Sequence, residues 1–81
     1  MTRRIPAPIN SSIRSWTNLA AMPTTDLAIP SIVGWVNDDD GRIYFTELRN
    51  GTDASDPANG IMRPDDYDAV TNAVTWYKVS Q

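Results

Sequence analysis

Val36–Leu48 reads VNDDDGRIYFTEL, and the fold turns on whether this stretch is an ion-binding loop or the tip of a hairpin. Laid over a calcium-binding EF-hand loop, Asp38 and Asp40 take ligand positions three and five, Gly41 the turn glycine and Glu47 the bidentate twelfth position. The first ligand position, however, is Val36, and both flanks argue against helices. Pro30 and Gly34 precede the loop, and Asn50-Gly51 comes after it. The flanks SIVGWV and RIYFTEL are rich in β-branched and aromatic residues, and NDDDG between them supplies turn chemistry. A β-hairpin is expected, with the aspartates as its solvated tip and no metal bound.

The two runs are apolar on both sides. Ile32 and Val36 fall on one face while Val33 and Trp35 fall on the other, and Ile43 and Phe45 oppose Tyr44 and Leu48. Strands of this kind need cover on both faces. The chain has 81 residues, no cysteine and no histidine, so it has neither a disulfide nor a Cys/His zinc site to act as a staple. Without a staple, one core below ~70–80 residues rarely supplies more than ~3–5 kcal/mol. Neighbouring molecules are the expected source of the missing cover.

Residues 1–30 differ in character from the rest of the chain. They hold four of the six prolines, Pro6, Pro8, Pro23 and Pro30, which exclude a central strand or a long helix. One short helix fits SSIRSWTNLAAM, with Ser12 as cap and Pro23 as stop. Ile5, Ile9, Ile13, Trp16, Leu19, Met22, Leu27 and Ile29 are too many apolar side chains for a solvated linker. The arm therefore folds back on its own module or lies along a partner, and the second is the expectation. Trp16 is its natural anchor.

After the hairpin, RNGTDASDPANG is a loop by composition, and IMRP reads as a short strand ended by Pro64. The final stretch supports two readings. Pro64, the aspartates after it and the stripe Tyr67, Val70, Val74, Tyr77 argue helix, whereas VTWYKV argues strand.

Charge and residue types exclude several functions. Residues 1–30 carry Arg3, Arg4 and Arg14 against Asp26, whereas residues 31–81 carry four basic and nine acidic side chains. An acidic body does not suit nucleic acid. No apolar run approaches the ~20 residues that span a bilayer, and MTRRIPAPINSS lacks the apolar stretch of a signal peptide. A soluble chain is expected. Without histidine or cysteine, the usual general bases and thiol nucleophiles are missing. Asp38, Asp39, Asp40, Asp65, Asp66 and Asp68 lie in polar runs, where water keeps two carboxylates from dividing acid and base roles. No enzyme activity and no cofactor are expected.

Residues 31–81 also resemble a family. VGWVNDDDG, with Gly34, Trp35 and Gly41, is similar to the first strand and turn of a short β module near the particle-proximal end of bacteriophage tailspikes and tail fibres. RIYF resembles its aromatic strand, NGTDASDPANGIMRP its loop and Pro-ended strand, and TWYKV its last strand, with Trp76 and Lys78. The turn has one glycine where the family is glycine-rich, and DDYDAVTNAV is more helical in character than the family's loop. The resemblance implies a mostly β fold, trimeric association and a structural place in a virion.

Together these readings predict a mainly β fold: a small hairpin or meander module at 31–81, with an extended Pro-containing N-terminal arm at 1–30 and one or two short helices. The expected function is that of a bacteriophage structural protein of the capsid, neck or tail. It would form homotrimers through the module and be tethered to other virion proteins by the arm. The expected interface residues are Ile5, Ile9, Ile13, Trp16, Trp35, Tyr44, Phe45, Trp76 and Tyr77. The alternative is a carbohydrate-binding adhesion module using Trp35, Tyr44 and Trp76.

Overall fold

The computed structural model describes residues 9–79. Its centre is one four-stranded antiparallel sheet in the order β1-β2-β4-β3, formed by β1 (Ser31–Asn37), β2 (Arg42–Asn50), β3 (Ile61–Met62) and β4 (Val74–Lys78). A helix, α1 (Trp16–Ala21), precedes the sheet, and a 3-10 turn at Pro57–Asn59 leads into β3. The fold is mainly β, as the sequence predicts.

VNDDDG is the tip of the β1–β2 hairpin. Gly41 adopts φ 70°, a left-handed conformation that suits glycine, and its N–H closes the turn on the Asn37 carbonyl. Asn37 and Asp40 then accept the backbone N–H groups of Asp39 and Arg42. These are the local side-chain bonds for which Asn and Asp are favoured in turns.

Register sorts the strand residues between two faces. The pairs Trp35↔Tyr44, Val33↔Thr46, Leu48↔Trp76 and Met62↔Trp76 share one face, called inner here. Leu48, Trp35 and Trp76 are 0% exposed there. The cover comes from the segment preceding β1: Ile13, Leu19 and Ala20 are buried against the sheet, and Trp16, Met22 and Leu27 pack partly around them. The core therefore lies between the sheet and residues 13–27.

Within the 1–30 arm, residues 13–27 form the second layer of the same core, because the aromatic inner face had no other cover. Polar bonds fix the layer. Asp38 accepts from the Arg14 guanidinium at 2.6 Å, and its backbone N–H donates to the Arg14 carbonyl. The Asp66 carboxylate accepts from both the N–H and the hydroxyl of Thr24, and Asp65 N–H donates to the Ala20 carbonyl. Helix α1 is too short to stand alone. Ser15, rather than Ser12, caps it by accepting the Asn18 N–H, and Pro23 lies just past its end.

The ambiguous C-terminal stretch is a loop and then a strand. Asp66, which with Asp65 would favour a helix start, bonds Thr24 instead, and Asp68 accepts the N–H groups of Val70 and Thr71 in a local turn. Val70 is 91% exposed whereas Val74 is buried, so the helical stripe through both does not exist. Among the described residues no helix is long and apolar enough to cross a membrane.

Candidate functional site

The opposite, outer face of the sheet carries Ile32, Gly34 and Val36 from β1, Ile43, Phe45, Glu47 and Arg49 from β2, and Thr75 and Tyr77 from β4. Its two halves are built differently.

At the half remote from the hairpin tip, the loop after β2 closes over the sheet. Thr75 is fully buried and its hydroxyl donates to the Gly51 carbonyl. The Tyr77 hydroxyl donates to Asp53 at 2.7 Å and lies so near Gly51 that a Cβ there would stand 2.5 Å from it. The Arg49 guanidinium lies 5.0 Å from the centre of the Tyr77 ring and also pairs with Glu47. This half is polar and satisfied.

The half nearer the tip, continued along β1, is apolar and open. Ile43 beside the tip is 50% exposed and Ile32, farther along β1 opposite Glu47, is 48% exposed, and Ile9 and Val79 are nearly as open. Val79 joins this surface beside Phe45, to whose carbonyl its N–H donates. Gly34 sets the local shape. A Cβ there would stand 2.7 Å from the Phe45 ring and 2.8 Å from the Ile9 side chain, so glycine lets both lie across β1. An apolar surface rimmed by polar groups is the make-up of a contact site.

Both sheet edges are blunted. Asn10 N–H donates to the Gly34 carbonyl, bridging Ile9 to the outer side of β1. At the other edge β3 has two residues, and Asp56 bridges to Ile61. Short and occupied edges discourage strand-to-strand addition, so the open surface is a face rather than an edge.

The residues expected at an interface are divided by this geometry. Ile13, Trp35 and Trp76 lie in the chain's own core, which removes them as contacts for a partner. Trp16 and Tyr44 are half-buried beside it; their ring centres lie 5.2 and 5.0 Å from that of Trp35. Ile9 and the half-buried Phe45 belong to the open half of the outer face, and Tyr77 to the closed half. Ile5 lies outside the described residues. The sugar-stacking set Trp35, Tyr44 and Trp76 is not assembled either, since two of its members have no exposed surface. Ile32, Ile43 and Val79, which the choice of large aromatic residues passed over, carry the open surface. Alternation along β1 and β2 was the signal that marked the first two.

Several carboxylates are held by bonds within the chain. Hydrogen bonds from the Tyr44 hydroxyl and the Arg42 N–H hold Asp40 below the usual carboxylate range, and those from the Thr71 and Val70 N–H groups do the same for Asp68. A carboxylic acid that donates a proton needs the opposite shift. The bond to Asp40 pushes Tyr44 above its ordinary value, while burial, and after it the bond to Asp53, raises Tyr77. Asp38 and Asp40 of the EF-hand spacing are bound to Arg14 and Tyr44, and Glu47 points to Arg49 on the outer face.

No family model matches the chain, and neither a curated protein nor a solved structure does.

Proposed function

We propose that this protein is a non-enzymatic structural component of a bacteriophage particle, in the capsid, neck or tail, and that copies of it associate in threes through the open half of the sheet's outer face. One observation carries the self-association: Ile32 and Ile43, flanked by Ile9 and Val79, form an apolar surface that the chain's described residues leave about half exposed. Burial gains ~25 cal/mol per Å² of apolar surface removed from water, and the blunted edges direct that gain to face packing. The particle and the number three rest on the resemblance over residues 31–81. Tethering to other virion proteins falls to the residues before Ile9, because Ile13 and Trp16 already serve the core.

Native mass spectrometry of the isolated chain at micromolar concentration tests the proposal. A dominant trimer is expected, and Ile32→Asp combined with Ile43→Asp should return it to single chains that remain folded. A monomer across the whole range would remove the self-association. Failure of a chain lacking residues 1–8 to enter particles, with its trimer intact, is the expected sign of the tether.

A further inference from the structure

A groove of about 700 Å³ opens between the segment after α1, the loop after β2 and the turn before β4. Leu27 and Ile29 belong to the first wall, Gly51 to the second, and Val70 and Ala73 to the third. None of Ile9, Ile32, Ile43 and Val79 lines it, so it is separate from the surface assigned to assembly.

The groove is preformed. Gly51 N–H donates to the Ala73 carbonyl at 3.0 Å and joins two walls. At its floor Thr24 is fully buried, with its hydroxyl donating to the Asp66 carboxylate. The Asn72 amide donates at 3.0 Å both to Thr24 Oγ1 and to the Asp66 carbonyl. These polar groups are spent within the chain, and among the described residues no charged side chain lines the groove. A small polar ligand would find no convergent groups to orient it. What remains to offer is shape and the apolar walls of Leu27, Ile29 and Ala73.

One rim of the groove is itself a projection. Val70 is 91% exposed, the most open of the large apolar side chains among the described residues. Its turn is held shut by N–H to carbonyl bonds in both directions between Asp68 and Asn72, at 3.0 and 2.9 Å. The Asp68 carboxylate adds bonds from the N–H groups of Val70 and Thr71. A turn so fixed loses little freedom on binding, which makes Val70 a preorganised anchor.

A projection beside a groove is self-complementary across a two-fold axis, since the projection of each copy meets the groove of the other. Charge favours the same occupant. The chain carries a net charge of −3, so copies repel over much of their surface and approach at least cost where a patch is uncharged. Asp26 and Asp68 flank the groove without lining it, and Asp68 is bound within its turn.

We propose that two copies of the chain pair across a two-fold axis at this groove, each placing Val70 between Leu27, Ile29 and Ala73 of the other. The pairing goes beyond the three-fold contact and uses none of its residues. Acting with that contact, it links trimers to one another.

Sedimentation equilibrium of the chain carrying Ile32→Asp and Ile43→Asp separates the two contacts, because its outer face no longer associates. A dimer is expected to form between about 0.1 and 1 mM, the range of a small contact. Adding Val70→Ser removes the projection without adding charge. It should leave thermal melting unchanged and weaken the dimer by about tenfold or more, the effect of losing a buried valine. The chain has no cysteine, so disulfide trapping gives a second reading in the same background. In a mixture of Val70→Cys and Thr25→Cys chains, the unlike pair should join faster than either like pair. A chain that stays single at about 1 mM would overturn the two-fold pairing. So would a dimer indifferent to Val70→Ser, or like pairs that join as fast as the unlike one. Each of these results leaves the outer-face contact untouched.

Discussion

The two faces of the sheet come from the same strands yet were completed differently. The inner face carries Trp35, Leu48 and Trp76, and residues 13–27 supply a second layer over it. The outer face received a polar loop over the β2–β4 side remote from the tip, through Gly51, Asp53, Thr75 and Tyr77, while Ile43 and Val79 nearer the tip and Ile32 along β1 were left open. A chain this short buries only ~60% of the surface its unfolded form exposes. The difference shows where that limit falls: one complete core, and one apolar surface left over.

The largest expected contrast between the faces is in stability. Trp35→Ala opens a cavity in the covered core and should cost ~3–5 kcal/mol. That is about the whole stability of an unstapled domain of this size, so the cooperative thermal transition should disappear. Ile43→Asp should lower the monomer's unfolding free energy, read from urea titration, by less than ~1 kcal/mol while abolishing association. Equal costs for the two would erase the distinction between the faces.

Gly34→Ala comes next, at ~1–3 kcal/mol, since the added methyl displaces the Phe45 ring and Ile9. Its equilibrium unfolding should weaken together with association, because it reshapes the open half. A comparable loss is expected on the inner face from Thr46→Val. Thr46 is fully buried and accepts the Trp35 indole N–H at 3.2 Å. Without it that donor is stranded, at ~1–3 kcal/mol.

The smallest effect is a titration. Tyr44 and Tyr77 both ionise above the ordinary tyrosine value of 10.0, so folding favours their neutral forms. Their contribution is complete below that value and is lost as pH rises through their folded pKa values. Ultraviolet absorbance should show both ionising late, and Asp40→Asn should bring Tyr44 earlier while leaving Tyr77 in place.

Much of this was readable from residue order. NDDDG between two β-branched runs marked the hairpin, and the alternation of Ile32 and Val36 against Val33 and Trp35 marked two apolar faces. The destination of residues 13–27 was not readable, because apolar spacing is the same for a segment that covers its own sheet and one that covers a neighbour's. The choice of interface residues by size took in two core tryptophans for a related reason. Trp35 and Trp76 have the largest surfaces, so they are drawn first into whichever core can close. The strand at Val74–Lys78 was in doubt because Asp65 and Asp66 stand like helix-start residues, although Asp66 bonds Thr24 and Asp68 closes a local turn.

Intermolecular NOEs between labelled and unlabelled copies of the chain test the division of the faces most directly. Contacts between copies are expected from the methyl groups of Ile32, Ile43 and Val79 and not from Leu19 or Leu48. If spectra at several times the association range show no contact between copies, or show it at Leu19 and Leu48, then the surface left open by this fold is not where its neighbours sit.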